Sequence, residues 1–167
     1  MCNQCNYEDL LNAARLDATD NRLRVLEVIG NNSYPLSAGD IYITIEKSCR
    51  INRVTVYRIL DRLVAKAVTL RILDNNGRID GVFAHNDNMI LGVIDAFEAS
   101  GLKLPKALVG FDAIPAAEDS IRKGKLSATI AQKPKTMGWL AIETAARHFR
   151  GEPIPALKLV ELKLVKH

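Results

Sequence analysis

Two short stretches of the sequence carry side chains suited to molecular recognition. The first, INRVTVYRILDRL (Ile51 to Leu63), holds three arginines and a tyrosine among branched apolar residues. Arginine forms bidentate contacts with phosphate or guanine, and tyrosine can pack on a thymine methyl group. The second, VFAHNDNMILGVIDAF (Val82 to Phe97), places an Asn-Asp pair between an apolar run and an amphipathic one. Polar residues at such a junction are typical of a binding site at the end of a strand.

The first stretch has the spacing of an amphipathic helix that begins near Asn52. Val56, Ile59, Leu60 and Leu63 recur at i, i+3, i+4 and i+7, which predicts one buried face. The opposite face has three arginines and one aspartate. From periodicity alone it is equally consistent with a solvated surface and with a DNA-reading surface. The candidate DNA-binding residues are Arg53, Thr55, Tyr57, Arg58 and Arg62.

Further signals around this helix predict a winged helix-turn-helix. One helix is predicted to follow Thr19 or Asp20. A second is predicted to begin after Ser37, which forms a variant of the capping box with Asp40. After the arginine-bearing helix, AVTLRIL (67–73) is rich in β-branched residues, and Asn75-Asn76-Gly77 is typical of a hairpin turn. Three helices, a strand and a turn are the order of a winged helix.

The segment PLSAGDIYITIEKSCRINRVTVYRILDRLVAKAV resembles the DNA-binding half of the ferric uptake regulator (Fur) family, over roughly residues 16–72. The resemblance implies that Tyr57 and Arg58 approach DNA and that Arg53 and Arg62 contact its backbone. Fur proteins continue into a domain rich in histidine, cysteine and acidic metal ligands. The sequence after Leu73 has no such pattern, so regulation by a metal is not expected.

From Ile79 onward the pattern changes to alternating strands and helices. The strand-like segments are IDGVFAHND, KALVGFDAI, SATIAQ and ALKLVELKLVKH, and amphipathic segments separate them. Such βα units predict a parallel sheet, whose ligands lie beyond the carboxyl ends of the strands. Those ends carry His85-Asn86-Asp87, Phe111-Asp112 and Gln132. An aromatic ring beside a carboxylate and two amides is suited to binding a sugar.

The segments DGVFAHNDNMILGVIDAFEASG and LVGFDAIPAAEDSIRKGKLSATIAQKPKTMGWLAIETAARHFRGE resemble the C-terminal third of ribose-type periplasmic sugar-binding proteins, a fold shared by LacI-type repressors. The resemblance implies a sugar site lined by Asn86, Phe111, Asp112 and Gln132. Asp87 is expected to cap the following helix, and His85 to be a neighbour rather than a ligand. These four residues come from one side of the cleft, so a pentose or hexose should bind weakly.

The helix from Trp139 to Phe149 has an apolar face that would pack on the other lobe in ribose-type proteins. The part of the chain after Leu73 matches only the last third of that fold. We therefore expect this face to be exposed, with homodimerisation or poor solubility as the consequence.

Composition and cysteine spacing exclude several classes of protein. A net charge of +4 on 167 residues is too small for a polybasic surface, so nucleic-acid contact depends on local arrangement. The sequence has no signal peptide and no apolar run long enough for a membrane span, which predicts a cytoplasmic protein with no membrane partner. Cys2-x-x-Cys5 lacks a second ligand pair at zinc spacing among Cys49, His85, His148 and His167, so no metal or other cofactor is expected.

The combined prediction is an α/β chain of two parts. Residues 1–74 form a winged-helix DNA-binding domain, and residues 78–167 form a partial parallel sheet of the periplasmic-binding-protein type. The predicted function is a dimeric DNA-binding transcription regulator with a truncated sugar-sensor-like part. Its partners are double-stranded DNA and a weakly bound sugar. The alternatives are a sugar-binding fragment and a chimeric scaffold with neither activity. No catalytic triad, P-loop or GxGxxG occurs, so the chain is not expected to be an enzyme.

Overall fold

The computed structural model describes residues 6–76 and 78–167, which contain helices and strands in an α/β arrangement. Contacts divide the chain into two compact units, residues 1–82 with 88–107 and residues 83–87 with 108–167. The predicted boundary between residues 74 and 78 stays a prediction. The elements in chain order are α1 (Tyr7–Ala13), α2 (Asp20–Gly30), α3 (Ala38–Glu46), α4 (Arg53–Asn76), β1 (Gly81–Phe83), α5 (Asp87–Ser100), β2 (Ala107–Phe111), α6 (Pro115–Arg122), β3 (Ala128–Ala131), α7 (Pro134–Phe149) and β4 (Lys163–Lys166).

The first unit has a helical core whose helices begin where the sequence predicts. The helix α3 starts with the expected capping box, in which Ser37 accepts from the Asp40 amide and the Asp40 carboxylate accepts from the Ser37 amide. Thr19 lies at the N-cap of α2 but makes no side-chain capping bond. The buried core residues of these helices and the segment before α4 are Val25, Ile41, Ile45, Ile51 and Val56.

The predicted first strand of the wing is wrong. Residues 67–73 continue α4, which runs without a break from Arg53 to Asn76. Lys66, Thr69 and Leu73 are buried, and their spacing of three and four residues is that of one helix face. The burial of this face overrides the β preference of the valine, threonine and isoleucine side chains. Asn75 lies in the last turn of α4, where its side-chain amide donates to the Arg71 carbonyl. Gly77 of the predicted turn lies outside the described residues.

The helix α5 packs closely on α4 within the first unit. A Cβ atom at Gly92 would lie 2.3 Å from the Arg62 carbonyl oxygen and 3.1 Å from the Ala65 Cβ, so only glycine permits this approach. At the same contact, the Arg62 guanidinium donates two hydrogen bonds to the Asp95 carboxylate, at 2.6 and 2.9 Å. The positions of α4 and α5 are therefore tied by both packing and charge.

The sheet has the strand order β1-β2-β3-β4. The strands β2 and β3 are parallel, with Phe111 opposite Ile130, as the βα pattern predicts. The final strand differs from the prediction, because β4 is short and runs antiparallel to β3. Lys163 and Lys166 bound this exposed strand, and lysines on an edge strand oppose pairing with another chain.

The helix α7 has no buried residue, and its large apolar side chains other than Leu140 are exposed, as expected. Trp139, Ile142 and Phe149 are exposed by 61%, 75% and 87%. Trp139 lies on a helix, where a packing role is the simplest interpretation, but its side chain is mostly in contact with solvent. None of the helices in the described ranges combines the length and the apolar character needed to cross a bilayer.

Candidate functional site

The candidate site lies in the second unit, at the carboxyl ends of its strands. Asn86 follows β1, Phe111 and Asp112 end β2, and Gln132 follows β3. The Ala84 amide donates to the Val109 carbonyl at 3.0 Å, and the Asp112 amide donates to the Ile130 carbonyl at 2.9 Å. These backbone bonds align the strand ends, so the polar residues that follow them lie along one edge of the sheet.

Asp112 and Gln132 contact each other directly at this edge. The Gln132 side-chain amide donates to Asp112 Oδ1 at 2.7 Å. A carboxylate accepts about four hydrogen bonds, so most of the accepting capacity of Asp112 is left for a ligand. Asp112 is exposed, while Phe111 and Gln132 are half-buried. A charged acceptor held by an amide beside an aromatic ring can bind hydroxyl groups and a C–H face together.

The backbone of the turn after β2 has a strained conformation. Asp112 has φ 111° and Ala113 has φ 55°, both in the region that favours glycine. Such conformations cost on the order of 1–3 kcal/mol each, and they persist only where the surroundings fix them. Backbone strain of this kind concentrates at binding sites, which is consistent with a ligand-binding role for this turn.

A buried carboxylate beneath the turn supplies part of that fixation. Asp87 is fully buried, and its Oδ2 accepts from the Ile114 amide at 2.9 Å while its Oδ1 accepts from the Thr129 hydroxyl at 2.7 Å. The Thr129 hydroxyl in turn accepts from the Ala113 amide at 3.3 Å. Burial raises the pKa of Asp87, and the nearby Asp112 charge acts in the same direction.

The role predicted for Asp87 is therefore different from the one in the structure. The helix α5 begins at Asp87 itself, and the carboxylate bonds across to β3 and to the segment before α6. The sequence analysis also missed Thr129, which is fully buried in β3. A single hydroxyl within the apolar strand ATIA (128–131) is the signal that could have identified it.

The remaining strand-end residues have more limited interactions. Asn86 is half-buried and engaged in an interaction of its own. His85 is exposed, and its ring lies 5.8 Å from the Phe83 ring in an edge-on arrangement. In residues 6–76 and 78–167, His, Cys, Asp and Glu side chains form no group of three that could hold a metal ion. Cys2 and Cys5 lie outside these residues.

The residues predicted to contact DNA do not form one free basic face. Arg62 is engaged by Asp95, whose side chain is only 10% exposed. Arg53 lies over the rings of Tyr42 and Tyr57, and it donates to the Tyr57 hydroxyl at 3.3 Å. Arg58 is exposed and Thr55 is half-buried. The sequence pattern identified the buried face of this helix but could not show that Asp95 lies beside Arg62.

Comparison with known proteins identifies the family to which this α/β chain, with polar residues at the ends of its strands, belongs. Residues 36–153 match the periplasmic binding protein domain, so the chain belongs to this family. It is 40% identical over 105 residues to the ribose import binding protein of Escherichia coli (strain K12), covering 63% of the chain and 35% of that protein. It is 33% identical over 106 residues to the D-allose-binding periplasmic protein of the same organism, covering 63% and 34%.

A solved structure has the same fold over a similar share of the chain. The solute-binding protein of Actinobacillus succinogenes, with bound D-allose, is 37% identical with a TM-score of 0.58. The match covers 63% of this chain and 37% of that one. The chain thus spans about a third of the length of these relatives. The sequence-based resemblance to ribose-type binding proteins is confirmed.

The comparisons overturn two parts of the sequence-based prediction. The prediction of a DNA-binding transcription regulator is wrong, because the family match includes α3 and α4 and the relatives are sugar-binding proteins. The cytoplasmic location is wrong for the same reason, since the family is that of periplasmic binding proteins. Neither the Fur-like winged helix nor a DNA or homodimer partner is supported. That the chain is not an enzyme is confirmed by this family of binding proteins.

Proposed function

We propose that the chain binds a monosaccharide of the ribose and allose class at the carboxyl ends of β1, β2 and β3. Asp112 accepts hydrogen bonds from sugar hydroxyls, and Gln132 holds its carboxylate while offering a further amide group. Phe111 packs on a C–H face of the ring, and Asn86 supplies a donor and an acceptor from the neighbouring strand end. The observation that carries the proposal is the 2.7 Å contact between Gln132 and Asp112 beside Phe111.

The names of the relatives support this choice of ligand. Ribose and allose are the sugars named for the two curated relatives, and D-allose is bound in the similar solved structure. These proteins are about three times the length of the matched segment, so the sugar specificity of the whole relative is a proposal for this chain.

The expected affinity is low. Four side chains along one edge of a sheet leave much of a sugar in contact with water. The few contacts must also offset the loss of translational and rotational freedom on binding. We expect a dissociation constant of about 1 mM, which corresponds to roughly −4 kcal/mol.

Titration calorimetry with D-ribose and D-allose tests the proposal, with L-ribose as the stereochemical control. Asp112→Asn removes the charge with little change of shape and should weaken binding at least roughly tenfold, since hydrogen bonds to charged groups contribute about 1.5–3 kcal/mol. The matched control is Asp119→Asn on α6, because Asp119 pairs with Lys123 at the surface of the same unit. The absence of stereospecific heat at sugar concentrations far above roughly 1 mM would exclude the proposal.

We also propose that the chain acts in the periplasm, as its relatives do by name. Osmotic-shock fractionation of cells that express the gene tests this location. Recovery of the protein only with cytoplasmic markers would contradict it.

A further inference from the structure

The turn after β2 depends on contacts that the sugar-facing residues do not supply. Asp112 and Ala113 are consecutive non-glycine residues with positive φ, at 111° and 55°. The next residue, Ile114, precedes α6, and its extended backbone leads directly into that helix. A chain segment of this kind relaxes to ordinary backbone angles unless its amides are held.

Two consecutive amides of this turn are held by the same pair of buried side chains. The Ala113 amide donates to Thr129 Oγ1, and the Ile114 amide donates to Asp87 Oδ2. The Thr129 hydroxyl then donates to Asp87 Oδ1, which closes the network. Both side chains are fully buried, at 0% exposure, so water does not substitute for either of them.

The two buried polar side chains are explained by the amides of the turn that they hold. Burying a carboxyl group costs free energy that an apolar side chain of similar size would not require. Asp87 and Thr129 recover this cost by bonding to the turn that carries Asp112. The network thus links three segments of the second unit to the orientation of one exposed carboxylate.

We propose that Asp87 and Thr129 are positioning residues for the sugar site. Together they lock the Asp112–Ala113 turn in its positive-φ conformation, and so present the Asp112 carboxylate and the Gln132 amide to the ligand in one fixed geometry. The inference rests on the proposed sugar-binding function for its consequence, although the locking of the turn is a property of the unliganded protein. Neither residue contacts the sugar.

The decisive variants are Thr129→Val and Thr129→Ser. Valine keeps the branched shape and the strand preference but removes the hydroxyl, whereas serine restores the hydroxyl in the same place. In unliganded Thr129→Val we expect amide hydrogen exchange at Ala113, and at Ile114 next to it, to accelerate at least roughly fivefold relative to the amides of β3, because the Ala113 amide loses its acceptor and the turn is released. Thr129→Ser should exchange like the wild type. Circular dichroism checks that both variants keep their secondary structure.

The same variants are then titrated with D-ribose. We expect Thr129→Val to bind at least roughly fivefold more weakly and Thr129→Ser to bind like the wild type. Unchanged exchange at Ala113 and Ile114 in Thr129→Val overturns the locking of the turn. Altered exchange with unchanged sugar affinity overturns the positioning role. If the wild type itself binds no sugar, the proposed function fails and the positioning role fails with it, while the exchange data still decide whether the turn is locked.

Asp87→Ala provides an independent test should Thr129→Val fail to fold. Alanine removes both carboxylate oxygens, so the Ile114 amide loses its acceptor and the Thr129 hydroxyl loses its partner. Faster exchange at Ile114 supports the network, and wild-type exchange at Ile114 contradicts it.

Discussion

Arg58 and Arg62 show how residues of one type, one helical turn apart, can have different roles. Both lie on the face of α4 that the sequence predicts to be solvent-exposed and basic. In the structure Arg58 is exposed, whereas Arg62 makes two hydrogen bonds to the mostly buried Asp95. Asp95 is 33 residues further along the chain, and helical periodicity contains no information about contacts at that separation.

This difference predicts unequal effects of truncation on stability. Arg62→Ala leaves the Asp95 carboxylate without its partner and should lower the free energy of unfolding by about 2–3 kcal/mol. Arg58→Ala should change it by less than about 0.5 kcal/mol. Urea unfolding followed by circular dichroism measures both. Equal effects of the two substitutions would show that the ion pair does not form.

The buried Asp87 predicts a pH dependence of stability. Burial raises its pKa above the ordinary value of 3.8. The folded chain then holds this proton at pH values where the unfolded chain has lost it. The contribution of Asp87 to the free energy of unfolding is therefore complete below pH 3.8 and declines as the pH rises through the raised pKa. Urea unfolding at a series of pH values should show that the difference between wild type and Asp87→Asn falls across this window.

Asp119→Asn is the control, because the contribution of Asp119 to stability should depend on pH in the opposite direction. The hydrogen bond from Lys123 lowers the pKa of Asp119, so its contribution is present above pH 3.8 and is lost as the pH falls through the lowered pKa. For Asp87, the raised pKa would be contradicted if the difference in free energy of unfolding between wild type and Asp87→Asn grew with rising pH.

At the scale of elements, the sequence predicts the second half of the chain better than the first. Each of the seven strands and helices expected after Ile79 is present, because glycines and short apolar runs mark where they begin and end. Gly101 and Gly151 follow α5 and α7 with positive φ, a conformation that ends helices and that glycine adopts readily. The strand predicted at residues 67–73 is wrong because β-branched residues do not exclude a helix whose other face is buried.

The candidate site was partly predictable for a similar reason. Asn86, Phe111, Asp112 and Gln132 are at strand ends, and strand ends can be recognised from sequence. The positive φ at Asp112 and the network beneath it could not be predicted, since Asp87 and Thr129 are 42 residues apart and meet only in the folded unit.

The close packing of α5 on α4 predicts opposite effects of alanine at two helical glycines. A Cβ at Gly92 would lie 2.3 Å from the Arg62 carbonyl oxygen, so Gly92→Ala forces the helices apart and should cost about 1–3 kcal/mol. A Cβ at Gly138 in α7 meets nothing within 4 Å. Gly138→Ala should therefore stabilise the chain by about 0.5–1 kcal/mol. Thermal unfolding of both variants shows whether each substitution raises or lowers stability. A stabilising Gly92→Ala would disprove the close approach of α5 to α4.

At the scale of the whole molecule, the family match and the strand-end site lead to the same class of protein. The match over residues 36–153 crosses the position where the sequence predicts two domains of different origin. A net charge of +4 spread over the chain does not distinguish a nucleic-acid partner from a neutral one. The proposal of a sugar partner rests instead on the relatives and on the polar residues at the carboxyl edge of the sheet.

An amide proton–nitrogen NMR map recorded during titration with D-ribose tests the assignment of the site most directly, because it locates binding as well as detecting it. We predict that shifts concentrate at Asn86, Phe111, Asp112 and the Gln132 side chain, and that the resonances of α4 stay in place. A map that does not change at sugar concentrations well above roughly 1 mM, or that changes only at residues away from the ends of β1, β2 and β3, would contradict the sugar-binding function.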